Sequence, residues 1–279
     1  MAYKSFVSVL TDETLTQPVL TFAIEMARSY DAHLDVLCLG VDRSQAGYYY
    51  AGASALLLEQ TISRAQEEAD AIKMAGHRIL KGCDVLWGCD SDVAQLADLA
   101  RHVSARARFS DIAILPQPYG ENRGAELEPA TEACLFEGRT PALIVPDVHN
   151  GYTQPDRIMI AWDESNEALK AIRAALPMLK NASDVHVAIV DPPVHSPNRS
   201  DPGGALSQYL ARHGVKIEID VLSKTLPNVS DVLLRHATDT RADLIVMGAY
   251  GHSRFREAVF GGATRNMLEH AKLPILMAH

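Results

Sequence analysis

Two segments, one in each half of the chain, share an apolar strand that ends in Asp-Glu and runs into a stretch of helical length. They are residues 6–13 and residues 157–164. A second pair lies further along, where residues 111–120 resemble residues 243–251. Similarity at two places in the same order indicates two copies of one supersecondary unit. The chain is therefore expected to fold as two similar halves.

Within each half, short apolar segments alternate with stretches of helical length. In the first half the predicted strands are residues 34–39, 85–87, 112–115 and 142–145. Alternation of this kind predicts an α/β fold, in which helices cover both faces of a parallel sheet. A polar connection containing Gly and Pro at residues 150–155 marks the boundary. We therefore expect two doubly wound parallel-sheet domains in tandem, residues 1–150 and residues 151–279.

Two serines are predicted to begin helices. Ser91 opens the sequence Ser-Asp-Val in the first half, and Ser230 opens the same sequence in the second. Serine is a good N-cap, because its hydroxyl accepts a hydrogen bond from a backbone N–H of the first turn. Both serines are expected to cap amphipathic helices.

The charge balance excludes some classes of partner. The 279 residues carry a formal net charge of −9, and no cluster of Lys and Arg is long enough to follow a nucleic-acid backbone or an anionic membrane surface. Neither partner is expected. The N-terminus lacks the apolar segment of a signal peptide, and no later stretch approaches a membrane span, which predicts a cytoplasmic location.

The cysteines and histidines give no metal-binding pattern. Four cysteines without a Cys-x2-Cys pair are predicted to be reduced, mostly buried thiols: Cys38, Cys83, Cys89 and Cys134. The histidines show no His-x3-His or similar pairing. We therefore predict no metal site of the protein's own.

A glycine loop near the C-terminus separates a strand from a helix. The strand ends at Met247, and Gly248, Gly251 and Gly261 follow at the spacing Gly-x2-Gly-x9-Gly. Such a turn directs backbone N–H groups and a helix N-terminus at one point, and that point favours phosphate. The alternative is that the glycines only shape the turn, because Gly tolerates positive φ.

Together these features resemble the universal stress protein family, and the chain is similar to tandem members with two such domains. The resemblance implies adenine nucleotide alpha-hydrolase-like domains and a stress-response role. It also implies that ATP or a related adenine nucleotide, with Mg as its accompanying ion, is a regulatory ligand of residues 151–279. The two domains are then expected to pack as an intrachain pseudo-dimer, and a homodimer of chains is a further expectation.

One position departs from the family pattern. The family usually has Ser or Thr after the third glycine, where this chain has Gly262, so a hydroxyl for the phosphate is missing. The backbone N–H groups of Gly262, Ala263 and Thr264 remain as predicted donors.

The predicted site continues on the first strands of the second half. Asp163 follows Ala161 and Trp162 at a strand tip, where the resemblance places a carboxylate near adenine and ribose; its alternative is to cap the next helix. Trp162 is interpreted as a core residue, with base stacking or narrowing of the pocket as alternatives. Val190 matches the position whose backbone reads the adenine edge, and plain core packing is its alternative. Arg254 pairs with phosphate or lies on the surface.

The first half is predicted to have lost this site. Glu128 and Pro129 stand where the second half has Gly261 and Gly262, and Gln117 stands where it has the first loop glycine. Proline has no N–H to donate, and a glutamate places negative charge opposite any phosphate. The alternative is a shorter loop that only turns differently.

The segment of residues 47–58, rich in Tyr and Leu, has no counterpart in the second half. We interpret it as a loop that covers the vacated site, with an apolar-ligand pocket and a partner surface as alternatives.

Three functions compete at this point. The first is nucleotide binding as a regulatory signal, and the second is a protein-interaction module of the same fold that binds no nucleotide. The third is a weak ATPase, although the chain contains no P-loop, no Gly-x-Ser-x-Gly elbow and no His-Glu-x2-His motif. No catalytic residue is predicted.

Overall fold

The structure is a computed structural model that describes residues 2–43, 55–149, 151–192, 201–250 and 262–279. These residues form two compact units, Ala2–Tyr152 and Thr153–His279. Both units are α/β, as the alternation of strand and helix segments predicts. Among the described residues, no helix combines the length and the hydropathy that a membrane span needs.

The N-terminal unit alternates strands and helices. Its elements in chain order are β1 (Ser5–Leu10), α1 (Glu13–Tyr30), β2 (His33–Asp42), α2 (Ala55–Leu80), β3 (Trp87–Gln95), a short 3-10 helix (Leu96–Asp98), α3 (Leu99–Ala107), β4 (Ile112–Pro116), α4 (Leu127–Leu135) and β5 (Ala142–Val145). The strand order is β3-β2-β1-β4-β5, and the pairs are parallel. Helix α1 begins where it does because Asp12 is its N-cap and accepts from the Thr14 N–H at 2.8 Å.

The strand β3 corrects two predictions. It runs from Trp87 to Gln95 instead of over residues 85–87, and it contains Ser91, which therefore caps no helix. The physical reason is the long partner strand: β3 pairs with β2 over its whole length, from Leu34–Trp87 to Asp42–Gln95. This ladder satisfies backbone groups that a helix would otherwise satisfy.

The C-terminal unit repeats the alternation. Its elements are β6 (Arg157–Ala161), α5 (Asn166–Leu179), β7 (Asp184–Val190), α6 (Gly204–Arg212), β8 (Glu218–Leu222), α7 (Val229–Asp239), β9 (Leu244–Gly248), α8 (Ala263–His270) and β10 (Ile275–Ala278). The strand order is β10-β9-β6-β7-β8, again with parallel pairs. Helix α5 packs on β9 and β10, and α7 packs on β7.

The start of α7 differs from the prediction. Its N-cap is Asn228, so Ser230 lies inside the first turn, and its hydroxyl is buried without a hydrogen-bond partner among the described residues. The apolar face is nevertheless as expected, because Val232, Leu233 and Ala237 are buried. The apolar periodicity therefore predicted the buried face of α7 correctly, whereas the predicted N-cap was wrong.

Candidate functional site

A cleft of about 120 Å³ lies at the carboxyl ends of the strands in the C-terminal unit. In the order β10-β9-β6-β7-β8 the direction of winding changes between β9 and β6, and ligands of open α/β sheets bind outside such a switch point. We call this space the strand-end cleft. It is lined by Ala161, Trp162, Asp163, Ala188, Val190, Val229, Leu233, Met247, Gly248 and Ala263.

The fold brings most of the sequence-predicted site residues to this cleft. Residues from β6, β7, β9 and α8 that are distant in the chain meet there, because parallel strands end at one edge of the sheet. Three predicted residues, Gly251, Arg254 and Gly261, lie outside the described residues. Of the segment of residues 47–58 predicted to cover the first site, residues 47–54 also lie outside them, and residues 55–58 open α2. Two others, Gly262 and Thr264, do not line the cleft.

Asp163 is exposed at the tip of β6. Its Oδ1 accepts a hydrogen bond from the Ser165 N–H at 3.0 Å, which holds the turn that leads to α5. The N-cap of α5 is Ser165 itself, whose hydroxyl accepts from the Ala168 N–H at 3.0 Å. Asp163 is therefore not the cap, in contrast to Asp12 in the first unit, and its carboxylate faces the cleft edge.

The cleft wall is apolar. Trp162 and Val190 are half-buried, and Met247 is buried. The amide N–H of Trp162 donates to the Ala188 carbonyl at 3.0 Å, which continues the β6–β7 pairing past the end of β6. Asp163 is the one ionisable side chain in the lining set. A wall of this composition suits a flat apolar ring with a polar group at one edge.

Gly248 has a packing reason to be glycine. A Cβ built on it would lie 2.6 Å from the Ala168 backbone nitrogen and 3.0 Å from atoms of Glu167. The first turn of α5 therefore approaches the end of β9 more closely than any side chain allows. This packing reason is neither phosphate binding nor the positive φ considered for the loop glycines, and it holds at Gly248 whatever the loop binds.

The helix α8 begins beside the cleft. Gly262 is its N-cap, with φ −62° and ψ 151°, and no side chain caps it. Ala263 is exposed and lines the cleft, whereas Thr264 is buried and its hydroxyl accepts from the Tyr250 N–H at 3.3 Å. The Thr264 side chain thus supports the loop, and the helix N-terminus itself is the polar feature that faces outward.

Left-handed backbone conformations surround the cleft. Glu164, Asp191 and Tyr250 have φ of 64°, 43° and 54°, and they follow β6, β7 and β9. A non-glycine residue in this region costs of order 1–3 kcal/mol, and such residues concentrate at functional sites. The three strands that form the cleft each end in such a turn.

The position equivalent to Val190 in the N-terminal unit is packed against a helix. Phe6 pairs with Leu34 as Arg157 pairs with Asp184, so Gly40 stands where β7 has Val190. A Cβ on Gly40 would lie 1.7 Å from the Ala65 carbonyl oxygen, because α2 rests directly on the strand. No side chain fits there.

A buried carboxylate stands at the start of α4. Glu126 is the residue before the helix, its side chain is only 2% exposed, and it accepts from Arg43 Nη2 at 2.8 Å and Nε at 3.1 Å. Arg43 also donates to Glu68 at 2.8 Å. The hydrogen bond to Glu126 raises the pKa of Arg43, against the opposing effect of partial burial. Glu128, the predicted source of negative charge, is half-buried in the first turn of α4, whereas the buried carboxylate is Glu126.

Sequence reasoning missed three cleft residues, Ala188, Val229 and Leu233. Val229 and Leu233 are four residues apart on α7 and so share one helix face, which in the sequence looks like an ordinary core stripe. Ala188 is a central residue of the apolar strand β7. No local signal separates a cleft wall from a core in these positions.

Comparison with known proteins finds a family match in the second half of the chain. Residues 155–279 match the model of the universal stress protein family. Over these residues the chain is similar to universal stress proteins. The matched range leaves out the N-terminal unit, so a second domain of this family there stays a prediction.

Three known proteins show what the chain is similar to. A universal stress protein from Synechocystis is 27% identical over 138 residues, which are 49% of this chain and 46% of that relative, so the match spans less than half of the relative's length. A universal stress protein from Archaeoglobus fulgidus has the same fold over 98% of this chain and 97% of its own, with 13% identity and a TM-score of 0.70. A universal stress protein in complex with cAMP matches 46% of this chain and 98% of its own, with 20% identity and a TM-score of 0.39.

Proposed function

We propose that the universal stress protein domain of residues 151–279 binds an adenine nucleotide, ATP in the first place, and that the bound nucleotide is a regulatory ligand in a cytoplasmic stress response. The observation that carries the proposal is the strand-end cleft, where an apolar wall, an exposed carboxylate and the first residues of α8 lie around one space. The base enters the cleft, and the phosphates lie at the helix N-terminus, which favours negative charge.

The size of the cleft supports this division. The described residues enclose about 120 Å³, below the roughly 300–1,000 Å³ of most small-molecule sites, and this volume suits a base better than a whole nucleotide. Asp163 at the rim accepts from the adenine amino group or a ribose hydroxyl. The triphosphate stays outside the cleft, where Mg can accompany it.

The first unit is proposed to bind no nucleotide. Helix α2 covers the end of β2 at Gly40, and Glu126 puts a carboxylate where a phosphate would approach α4. A phosphate there would meet an anion already paired with Arg43.

A second candidate function is an interaction module that binds no nucleotide. It is favoured by Gly248, which the packing of α5 requires to be glycine, and by the absence of a hydroxyl at Gly262. A hydrolytic function has less support, because Asp163, the only ionisable residue among the described ones that line the cleft, already accepts the Ser165 N–H and lies at the edge.

Isothermal titration of ligand-free protein with ATP tests the proposal, with Asp163→Asn as the diagnostic variant. The asparagine keeps the oxygen that accepts from Ser165, so the turn is preserved while the charge is lost. Because hydrogen bonds to charged groups contribute about 1.5–3 kcal/mol, we expect a loss of affinity of roughly tenfold or more.

The matched control is Asp12→Asn at the equivalent strand tip of the first unit. Asparagine caps helices about as well as aspartate, so this variant should fold and bind as the unchanged protein does. Absence of heat with ATP in protein shown to be free of carried-over nucleotide would favour the interaction module, as would equal affinities of the two variants.

A further inference from the structure

Two histidines and an aspartate converge on one face of the C-terminal sheet. Asp220 Oδ2 lies 2.7 Å from His186 Nδ1 and 2.9 Å from His236 Nε2. The three potential ligand atoms all lie within 4.8 Å of one another, and each side chain is only 15–20% exposed. We call this group the His-Asp-His cluster.

The fold assembles this cluster from residues that are far apart in sequence. His186 is on β7, Asp220 is on the neighbouring strand β8, and His236 is in the last turn of α7. Ala188 pairs with Asp220, so His186 is two residues away on the same face of β7. The sequence predicted no metal site, because Asp220 is 34 residues after His186 and 16 residues before His236, and these separations match no ligand motif.

We propose that the His-Asp-His cluster binds a divalent transition-metal ion, zinc in the first place, through His186 Nδ1, Asp220 and His236 Nε2. Two imidazole nitrogens and one carboxylate are the ligand set of open zinc sites, in which water or another ligand takes the fourth position. The partial exposure of all three residues leaves room for that fourth ligand. The proposal is independent of nucleotide binding.

A fourth residue orients the cluster as metal sites require. Asp184 Oδ2 lies 3.3 Å from His186 Nε2, the nitrogen that faces away from the proposed ion. A carboxylate on the second nitrogen of a ligating histidine fixes its tautomer and ring orientation, and removing it lowers metal affinity about 10–100-fold. With the ion bound and Nε2 protonated toward Asp184, the Nδ1 lone pair would be directed at the ion.

The ion needs only a small rearrangement. Without it, both histidines can donate N–H groups to the same Asp220 oxygen. With tetrahedral ligand distances of about 2.0–2.1 Å, nitrogen and oxygen ligands lie about 3.3 Å apart, so each contact opens by about 0.5 Å. The ion replaces the shared protons, and its binding is therefore favoured by higher pH.

The cluster borders the strand-end cleft but shares no residue with its lining. His186 is two residues before Ala188 on β7, and His236 is one turn after Leu233 on α7. The proposed ion is held by protein ligands, unlike an Mg that accompanies a nucleotide phosphate outside the cleft.

The test uses untagged, chelator-treated full-length protein at about pH 8, because higher pH favours release of the protons that the ion replaces. Zinc is titrated in competition with a chromophoric chelator, and cobalt is titrated by visible absorption. We expect one tight zinc per chain and a tetrahedral cobalt spectrum without thiolate charge transfer. The double variant His186→Gln/His236→Gln should lose this site at least 100-fold, and Asp184→Asn should fall between the two.

The matched control is His270→Gln, which removes an exposed histidine from the last turn of α8 and should bind zinc as the unchanged protein does. Circular dichroism and thermal melting of the metal-free variants separate loss of the site from loss of the fold. Equal zinc binding by the unchanged protein and a folded double variant would overturn the proposal. So would a thiolate band in the cobalt spectrum, because the four cysteines all lie in the first unit.

Discussion

Single carboxylates distinguish the two units at the scale of the residue. Asp12 and Asp163 stand at equivalent strand tips, yet Asp12 caps α1 while Asp163 leaves capping to Ser165. The difference frees the Asp163 carboxylate from the helix start and leaves it at the cleft rim. In the first unit the decisive carboxylate is Glu126, which is buried and bound by two nitrogens of Arg43.

We expect Glu126→Gln to destabilise the N-terminal unit by about 1–3 kcal/mol. Removing one partner of a buried ion pair can cost about 3–5 kcal/mol, but Arg43 is 42% exposed and keeps Glu68, so the cost is reduced. The free energy of unfolding in urea measures it. Asp98→Asn is the matched control, since it breaks the exposed pair with Arg101 and should leave stability unchanged. Equal losses in the two variants would contradict the role given to Glu126.

The start of α8 matters most at the scale of the element. Gly262 has a backbone conformation that any residue can adopt, so a hydroxyl can be added there without strain. Gly262→Ser should stabilise the helix by a few tenths of a kcal/mol as an N-cap. If the phosphates lie at this helix, the new hydroxyl also raises ATP affinity about two- to tenfold, the effect of one added hydrogen bond.

Calorimetry with Gly262→Ala beside Gly262→Ser isolates the hydroxyl, because alanine changes the backbone freedom equally but adds no donor. A serine variant that binds ATP no better than the alanine variant would place the phosphates elsewhere.

The cysteines of the N-terminal unit differ in their expected reactivity. Cys38 Sγ and Cys89 Sγ lie 3.8 Å apart, and the hydrogen bond from Cys38 lowers the pKa of Cys89. Burial raises the pKa of Cys134 to about 12. The thiolate is the reactive form, so alkylation at about pH 7 should modify Cys89 well before Cys134. Peptide mass spectrometry of briefly alkylated protein checks the order, and the difference should vanish in denaturant. Early labelling of Cys134 in the folded protein would contradict the burial described here.

Individual strands show what the sequence could and could not predict. Apolar runs such as Ile112–Pro116 specify strands by themselves, because they are buried on both faces. The edge strand β3 is mostly half-exposed and lacks such a run, so its pairing with β2 had no local signature. The end of an apolar strand predicted where Asp163 lies. The contact of Glu126 with Arg43 joins residues 83 apart and has no local signature in the sequence.

At the scale of the whole molecule, the two units repeat one alternation of strands and helices but differ at the carboxyl ends of their strands. The strand-end cleft is present in the C-terminal unit, and the equivalent place in the other unit holds α2 and Glu126. We therefore expect saturation at one ATP per chain. Titration to stoichiometry with protein of known active concentration measures this ratio. Two equivalents per chain would show that the first unit still binds nucleotide.

The Glu126–Arg43 pair has a consequence for how such a protein responds to its surroundings. An anion that is part of the polypeptide is always present at unit occupancy, whatever the metabolic state of the cell. If the second unit binds a nucleotide as proposed, its occupancy changes with the supply of a diffusible molecule, while the carboxylate of the first unit is always in place.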